Sequence, residues 1–267
     1  MKLAWSTDIH LNFLDADERQ KFYQKIIELK SDAAIISGDI AEAPSVVSLL
    51  IEMADHINLP IYFVLGNHDY YRGQVSEVRK AVTTLTDSHK NLFWLPAAGI
   101  QKLKKSLILV GQDGWADGRF GDYQRSPVVL NDSRMIADLF QAKILGKLPL
   151  LEKMQQLADR DAEQLKIDLI AALNENPKDV LVLTHVPPFR EACMHQGQIS
   201  DDDWLPYFSS KAIGDVLLEI AQQHSSVNFL VLCGHTHSEA NYSPLNNLTV
   251  RAGNAEYYHP QVHEFVL

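Results

Sequence analysis

Short apolar runs alternate along this chain with longer segments in which apolar residues recur every three or four positions. Strands that alternate with helices build sheets covered by helices, so the pattern predicts an α/β fold. The runs predict eight strands, at Leu3–Ser6, Ala33–Ser37, Ile61–Leu65, Leu107–Gly111, Val180–Thr184, Phe229–Cys233, Leu248–Arg251 and Val262–Val266.

The helical periodicity is clearest at 22–27, 46–57, 75–85 and 212–221. A longer charged stretch, 133–173, also has helical character and is interrupted near Gly146 and Pro149. It predicts either a helical insertion over the sheet or part of a cap, and the sequence leaves both open. We interpret residues 1–267 as a single domain, because that length suits one large α/β domain.

Five of the apolar runs are followed directly by polar residues, often beside a glycine. These segments are Asp8-Ile9-His10, Gly38-Asp39, Gly66-Asn67-His68-Asp69, His185 and Gly234-His235-Thr236-His237. Ligands of open α/β sheets gather at the carboxyl ends of the strands. We therefore expect the five segments to converge on one site, with the glycines bringing the backbone close to it.

Carboxylate, imidazole and amide groups form the mixed nitrogen and oxygen set that first-row divalent metals accept. Residues two apart in an extended segment point the same way, so Asp8 with His10, and His235 with His237, are each expected to face one point. One metal needs three or four protein ligands. Two metals sharing a bridging carboxylate would use all seven candidates: Asp8, His10, Asp39, Asn67, His185, His235 and His237.

Each motif alone is weak evidence. A lone Asp-x-His or Gly-Asp occurs by chance in many chains, and Gly-Asn-His-Asp is often a plain turn. Taken alone, His185 would be an ordinary loop histidine. Five such motifs in this order, each at a predicted strand end, favour a metal site over coincidence. The other histidines are interpreted as ordinary, although His195 and His259 lie in predicted rim loops.

The ordered set D-x-H, G-D, G-N-H-[DE], a lone His and G-H-x-H resembles the signature of the calcineurin-like metallophosphoesterase superfamily. The resemblance runs from Asp8 to His237, which is nearly the whole chain. It implies a four-layer α/β/β/α sandwich, with two mixed sheets flanked by helices and a metal pair at the strand ends. The combination is specific for the superfamily and poorly specific for substrate.

The resemblance also implies roles for the matching positions. Asp39 would bridge two divalent metal ions, which mixed ligands of this kind allow to be Mn, Fe, Zn, Ni or Co. The first metal would take Asp8, His10 and His237, and the second Asn67, His185 and His235.

His68 resembles the family's catalytic histidine. It is expected to stabilise the phosphoryl oxygens and to protonate the leaving group. Asp69 is expected either to orient the His68 imidazole or simply to form the turn, and these two interpretations stay open.

Two cations roughly 4 Å apart clamp the attacking and leaving oxygens of an in-line displacement at phosphorus. They also lower the pKa of a shared water, so a metal-bridging hydroxide is the expected nucleophile. We therefore predict a dinuclear metal-dependent hydrolase of a small phosphodiester or phosphomonoester.

Protein Ser/Thr phosphatases of this superfamily carry an arginine soon after G-D and another before G-N-H. The segments 38–42 and 64–66 contain neither arginine, which argues against that type. The pattern is closer to the bacterial branches, which include phosphodiesterases, nucleotide pyrophosphohydrolases and DNA-repair nucleases.

Candidate substrate contacts lie in the loops after the strands. Arg119, in the loop 113–123, is suited to grip phosphate with its planar fork, and Trp115 is suited to stack on a ring. Tyr71, Arg72 and Arg190 are similar candidates. For each of them, a solvated loop anchored by its aromatic residues is an equally good interpretation.

A formal net charge of −10 argues weakly against long nucleic acid as the ligand. Two cysteines, Cys193 and Cys233, are too few for a disulfide framework, and Cys233 is expected to be a small buried residue. No apolar run approaches the roughly 20 residues of a membrane span. We expect a cytoplasmic protein with a small-molecule substrate and no membrane partner, and leave the oligomeric state open.

Three other functions compete with this prediction. A nuclease of the same superfamily is disfavoured by the acidic composition and the lack of basic stretches. A non-catalytic metal-binding scaffold would be expected to lose ligands or the catalytic histidine, whereas Asp39, Asn67 and His68 are all present. A metal-binding sensor would keep its ligands and is distinguished only by turnover.

Overall fold

The computed structural model describes residues 1–267 and contains thirteen strands and nine α-helices. The strands are β1 (Lys2–Ser6), β2 (Ala33–Ser37), β3 (Ile61–Val64), β4 (Leu92–Trp94), β5 (Gln101–Lys104), β6 (Leu107–Gly111), β7 (Asp179–Leu183), β8 (Met194–His195), β9 (Gln198–Ile199), β10 (Asn228–Cys233), β11 (Ala240–Leu245), β12 (Leu248–Ala252) and β13 (His263–Val266).

The helices are α1 (Ala16–Glu28), α2 (Val46–Ile57), α3 (Val75–Ser88), α4 (Leu95–Ala98), α5 (Asp132–Met135), α6 (Ala137–Leu145), α7 (Lys147–Asn174), α8 (Leu205–Phe208) and α9 (Lys211–Gln223). Short 3-10 turns lie at Leu11–Phe13, His68–Tyr70 and Arg190–Ala192. Each of the eight predicted strands is present, with ends shifted by at most one residue.

Two mixed sheets carry the fold. The first has the order β13-β1-β2-β3-β4, and the second β11-β12-β10-β7-β6-β5. β1 to β4 are parallel, with β13 antiparallel at the edge. In the second sheet β6, β7, β10 and β12 are parallel, and β5 and β11 are antiparallel edge strands.

The two sheets pack face to face, and helices cover their outer faces. Leu3 and Ile35 of the first sheet share one apolar cluster with Leu181 and Leu232 of the second. On the outer side of the first sheet, Ala34 and its neighbours pack with residues of α1, α2 and α3. The corresponding cluster outside the second sheet includes residues of α7 and α9.

This layering confirms the predicted α/β/β/α sandwich and explains the continuous apolar runs. Successive side chains of a strand point to opposite faces. A central strand buried on both faces therefore needs apolar residues at every position rather than at alternate ones. All five residues of β2 and of β6 are buried, as this requires.

The stretch 133–173 is helical, as predicted, and comprises most of α5 to α7 with a break at Gly146. Helix α7 contacts β6 and α9, and α6 packs on α7. The single-domain interpretation and the description of this stretch as an insertion stay predictions.

Cys193 and Cys233 are both buried and unpaired, and the buried position of Cys233 was expected. No helix in the structure combines the length and the apolar character needed to cross a membrane.

Candidate metal centre

Four side chains meet where β1, β2 and β10 end. Asp8, His10, Asp39 and His237 each offer one ligand atom, and these atoms all lie within 4.8 Å of one another. Three of the residues are buried and His237 is partly exposed. We call this set the first ligand group.

A second ligand group forms beside it around the amide oxygen of Asn67. The Oδ1 atom of Asn67 lies 3.0 Å from Nε2 of His185 and 2.9 Å from Nδ1 of His235. These residues follow β3, β7 and β10, so the group draws on both sheets.

Backbone carbonyls fix which nitrogen of each imidazole in the second group carries hydrogen. Nδ1 of His185 lies 2.9 Å from the carbonyl oxygen of Ser37, and Nε2 of His235 lies 2.9 Å from that of Tyr207. Because a carbonyl only accepts, both nitrogens must donate. If both rings are neutral, Nε2 of His185 and Nδ1 of His235 each direct a lone pair at Asn67 Oδ1. Three hydrogen-bond acceptors then face one another, and only a metal ion or an extra proton can pair with them.

The orientation of the Asn67 amide is fixed by Asp132. Nδ2 of Asn67 donates to Asp132 Oδ1 over 2.8 Å, which turns the amide oxygen toward the two histidines. The same carboxylate oxygen accepts from the Tyr71 hydroxyl over 2.6 Å. Asp132 was not predicted from the sequence, because it belongs to no motif and lies 65 residues from Asn67.

Asp39 lies between the two ligand groups and is buried. Its Oδ1 atom is 3.4 Å from Nε2 of His185, and its Oδ2 atom is 3.8 Å from Nε2 of His10. Burial alone would raise the pKa of this carboxyl, but His185 and His68 lower it well below its usual value. The carboxylate is therefore an anion with one oxygen facing each group.

The surroundings of His10 show whether the first ligand group is suited to binding a cation. It is buried, yet neither ring nitrogen has a hydrogen-bond partner in the protein. Burial lowers its pKa to about 4 against the opposing effect of Asp39, so the ring is neutral near pH 7 and carries a free lone pair. A buried polar atom without a partner costs free energy, and a metal ion bound among these nitrogen and oxygen donors would remove that cost.

The local backbone differs from the expectation of extended segments. Five of the seven candidate ligands have φ between 40° and 70°: Asp8, His10, Asp39, His235 and His237. Asp and His enter this left-handed region more readily than most residues. Consequently His235 and His237 do not face one point, since His235 joins the second group and His237 the first.

Two glycines of the motifs permit the close approach of the chain segments. A Cβ on Gly66 would overlap Oδ1 of Asp39, and a Cβ on Gly234 would overlap Oδ2 of Asp8. Any side chain at either position would displace a carboxylate of the first group. This agrees with the expected role of these glycines.

His68 stands beside the ligand groups without joining them. Its Nε2 atom is 4.0 Å from Oδ2 of Asp39, and its ring stacks on Tyr71 with 4.2 Å between ring centroids. Its Nδ1 atom has no hydrogen-bond partner. The position leaves the imidazole free to meet a ligand, and its catalytic role stays a prediction.

Asp69 does not hydrogen-bond to His68. Its buried carboxylate accepts from the backbone N–H groups of Ile40, Ala41 and Gly66 over 2.7–3.2 Å. Asp69 therefore ties the loop after β2 to the loop after β3. The interpretation that it orients the imidazole is corrected, because its oxygens are directed at the backbone.

A cleft of about 570 Å³ opens above the two groups. Besides His68 and Tyr71, its walls include His195, which lies in a predicted rim loop, and Tyr257. The ring centroid of Tyr257 is 4.7 Å from that of His10 and 4.9 Å from that of His237. Tyr257 lies in the loop after β12 and matches no motif, so the motifs did not identify it.

Of the five predicted substrate contacts, Tyr71 lines this cleft and the other four do not. The Arg119 guanidinium pairs with Asp117 and Asp159. Arg72 pairs with Glu42, and Arg190 lies 3.6 Å from Asp202.

Trp115 is buried against Tyr70, with 5.0 Å between ring centroids. Arg119 and Trp115 therefore have other partners, and neither side chain lines the metal cleft.

A family model described as calcineurin-like phosphoesterase matches residues 1–239 of the chain. A protein of Danio rerio named "Transmembrane protein with metallophosphoesterase domain" is 29% identical over 126 residues. That match covers 40% of this chain and 28% of the other protein.

Two solved structures share the fold. Phosphopantetheinyl hydrolase from Mycobacterium tuberculosis gives a TM-score of 0.65 at 14% identity, covering 98% of this chain and 95% of that chain. A dimetal phosphatase from Danio rerio gives a TM-score of 0.59 at 12% identity, covering 95% of this chain and 87% of that chain.

Proposed function

The chain belongs to the calcineurin-like phosphoesterase family, whose members hydrolyse phosphate esters with divalent metals, and we propose that its own activity depends on two metal ions held on either side of Asp39. The first ion would take Asp8, His10 and His237. The second would take Asn67, His185 and His235.

The position of Asp39 carries this proposal. Each oxygen of its carboxylate faces a different ligand group, at 3.4 Å from His185 and 3.8 Å from His10. A site for a single ion would need only one of these groups, since three or four protein ligands suffice. The second group, in which Asn67 Oδ1 and two imidazole nitrogens converge, would then be buried without a metal ion.

Metal ions bound in such pairs neutralise charge on phosphoryl oxygens and make a water nucleophilic near neutral pH. The protein's own residues would set the geometry around them. Asp132 holds the Asn67 amide with its oxygen inward, and the Ser37 and Tyr207 carbonyls hold the two imidazoles. Hydrogen bonds of this kind fix ligand orientation and raise ligand basicity.

His68 is the proposed proton donor to the leaving group. Its ring lines the cleft, and its stacking on Tyr71 restricts its rotation. An imidazole can take up and release a proton, which suits histidine to general acid catalysis. Tyr71 is thus a positioning residue for His68.

The substrate is proposed to be a small phosphodiester or phosphomonoester. A cleft of about 570 Å³ falls in the range of small-molecule sites. The walls of the cleft include no lysine or arginine, and Arg72, Arg119 and Arg190 pair with carboxylates, which together with the net charge of −10 disfavours a nucleic acid backbone as the ligand.

The test is hydrolysis of bis-p-nitrophenyl phosphate and of p-nitrophenyl phosphate, before and after chelation and with manganese restored. We expect turnover that chelation abolishes and manganese recovers, together with two metal ions per chain by elemental analysis. The faster substrate identifies the ester preference.

Turnover with only one bound ion per chain would refute the two-metal proposal. Two bound ions without turnover of either ester would favour a metal-binding scaffold or sensor.

A further inference from the structure

A second cavity, of about 280 Å³, lies next to the metal cleft and is not used by the proposed chemistry. We call it the apolar cavity, because ten of the sixteen residues that line it are hydrophobic. Its inner wall includes Trp115, Tyr123, Leu139, Leu150 and Met154, which are all buried.

The apolar cavity and the metal cleft share two wall residues, Leu130 and Asp132. Asp132 is the residue that holds the Asn67 amide. The two spaces therefore meet directly beside the second ligand group. A molecule with its phosphate in the cleft can extend a substituent past Leu130 into the apolar cavity.

Most polar side chains of the wall are already satisfied by the protein. The hydroxyl of Ser126 donates to the Asp203 carbonyl, and that of Ser133 to the Leu130 carbonyl. The ammonium of Lys147 donates to the carbonyls of Gln124 and Ser126. These groups have little hydrogen-bonding capacity left for a ligand.

This wall offers a sugar or a nucleobase few free hydrogen-bond partners. Each brings several donors and acceptors, and a buried polar group without a partner costs free energy. The indole N–H of Trp115 is the one buried wall group without a partner. A hydrocarbon substituent makes no such demand and gains from burial.

The outer end of the apolar cavity reaches a surface rich in exposed aliphatic side chains. Val129, a wall residue, is 49% exposed. At the turn between α6 and α7, close in sequence to the wall residues Lys143 and Lys147, the exposed fractions are 67% for Ile144, 76% for Leu145 and 61% for Leu148. An apolar chain leaving the cavity would pass Val129 and the aliphatic stems of Lys143 and Lys147.

We propose that the substrate is an amphiphilic phosphoester whose hydrocarbon chain occupies the apolar cavity while its phosphate lies at the two ligand groups. The proposal rests on the proposed function and specifies its substrate class. An apolar cavity of about 150 Å³ admits benzene, so this one accommodates a hydrocarbon chain of several carbons.

The test uses p-nitrophenyl alkyl phosphodiesters with methyl, butyl, hexyl and octyl chains. All release p-nitrophenolate, so the reacting bond has nearly the same intrinsic reactivity. Each methylene buried in the cavity should raise kcat/KM by about fourfold. We expect a rise of at least about 100-fold from methyl to hexyl.

A variant with a filled cavity separates this effect from general hydrophobic adsorption. Val128 is a partly buried wall residue, and Val128→Trp should abolish the dependence of kcat/KM on chain length. The matched control is Val266→Trp at an exposed position of β13, which should keep the dependence. Thermal melting of both variants checks that they are folded.

Binding provides a measurement that does not require turnover or a stable variant. Calorimetry with the manganese-loaded wild-type protein should give at least tenfold tighter binding for octylphosphonate than for methylphosphonate. Equal hydrolysis of all chain lengths together with equal phosphonate affinities would overturn the inference and leave the phosphoesterase proposal intact. No hydrolysis of any ester, with octylphosphonate still preferred, would instead count against the proposed function alone.

Discussion

Two buried polar clusters lie in this molecule, and they satisfy their carboxylates in different ways. One is the pair of ligand groups around Asp39. The other, which we call the arginine cluster, consists of Arg79, Asp113, Asp161 and Tyr70. Both bury aspartates that are almost inaccessible to water, and a buried charge is tolerated only when it is paired.

The arginine cluster contains its own cation. Nη2 of Arg79 lies 2.9 Å from both oxygens of Asp161 and 3.1 Å from Oδ2 of Asp113. The other oxygen of Asp113 accepts from the Trp94 indole and from the backbone N–H of Leu65. Donors and acceptors therefore balance within the cluster.

The ligand groups lack such a balance. His10 has no partner for either ring nitrogen, and without a metal ion the atoms around Asn67 Oδ1 are paired only while His185 holds an extra proton. No arginine or lysine enters these groups. The comparison indicates that the arginine cluster is a permanent part of the fold, whereas the ligand groups are built for a cation that comes from solution.

The largest effect is expected when the ligand groups are disrupted at Asp39. Asp39→Asn removes the charge that both groups share, so we expect kcat/KM for phosphoesters to fall by at least about a thousandfold and metal content to fall below one ion per chain. Asp55→Asn, at an exposed position of α2, is the matched control. Full activity with two bound ions in Asp39→Asn would contradict the bridging role.

Breaking the arginine cluster should affect stability instead. Arg79→Met leaves Asp113 and Asp161 buried without their cation, which should cost about 3–5 kcal/mol in the free energy of unfolding. Urea denaturation measures this. Arg125→Met, at an exposed pair with Asp122, should cost no more than about 1 kcal/mol. A loss in Arg79→Met as small as that of the control would mean that the cluster is not the permanent element we describe.

The third change distinguishes the role of His68 from that of the metal ligands beside it. His68→Ala should lower kcat by about 100-fold or more, because general acid catalysis contributes on that scale, while both metal ions stay bound. His56→Ala, in an exposed part of α2, should change neither quantity. If His68→Ala empties the site, His68 is a ligand and the proposed role is wrong.

Asp132 tests how far the ligand groups depend on residues outside the motifs. Asp132→Ala frees the Asn67 amide to rotate and should weaken binding of the second metal ion by about 10- to 100-fold, as measured by titration with manganese. Asp132→Asn retains an acceptor oxygen and should recover most of the affinity. Equal affinities in wild type and Asp132→Ala would show that the amide is held without this carboxylate.

The sequence predicted the strand ends well because each motif is local. Both faces of the central strands are buried, so the apolar runs marked the strands directly, and the polar segments had to follow at the carboxyl ends. The division of His235 and His237 between two groups did not follow from strand geometry. It depends on backbone φ values of 70° and 53°, which the extended-segment argument did not include.

Residues outside the motifs were not found, because their roles depend on contacts distant in sequence. Asp132 reaches Asn67 across 65 positions, and Arg79 reaches Asp161 across 82. Arg119 was assigned to a phosphate contact and Trp115 to ring stacking because their side-chain chemistry suits these roles. In the fold Arg119 pairs with Asp117 and Asp159, and Trp115 packs on Tyr70 in the wall of the apolar cavity rather than in the metal cleft.

The pH dependence of stability provides a further comparison of the two clusters. In the metal-free protein, burial lowers the pKa of His185 but Asp39 raises it, to about 10. The folded value exceeds the value of about 6.5 in the unfolded chain, so the bound proton stabilises the fold fully below pH 6.5. This contribution is lost as the pH rises through about 10.

Urea midpoints of chelator-treated protein should therefore fall between pH 7 and 9.5, whereas those of manganese-loaded protein should fall less, because the metal replaces the proton. His185→Asn should flatten the decline in the metal-free protein, and the exposed control His56→Asn should not. The arginine cluster does not contribute to the decline, since its carboxylates and Tyr70 raise the pKa of Arg79 despite its burial. A decline of equal size with and without manganese would place the titrating group outside the ligand groups and remove this distinction between the two clusters.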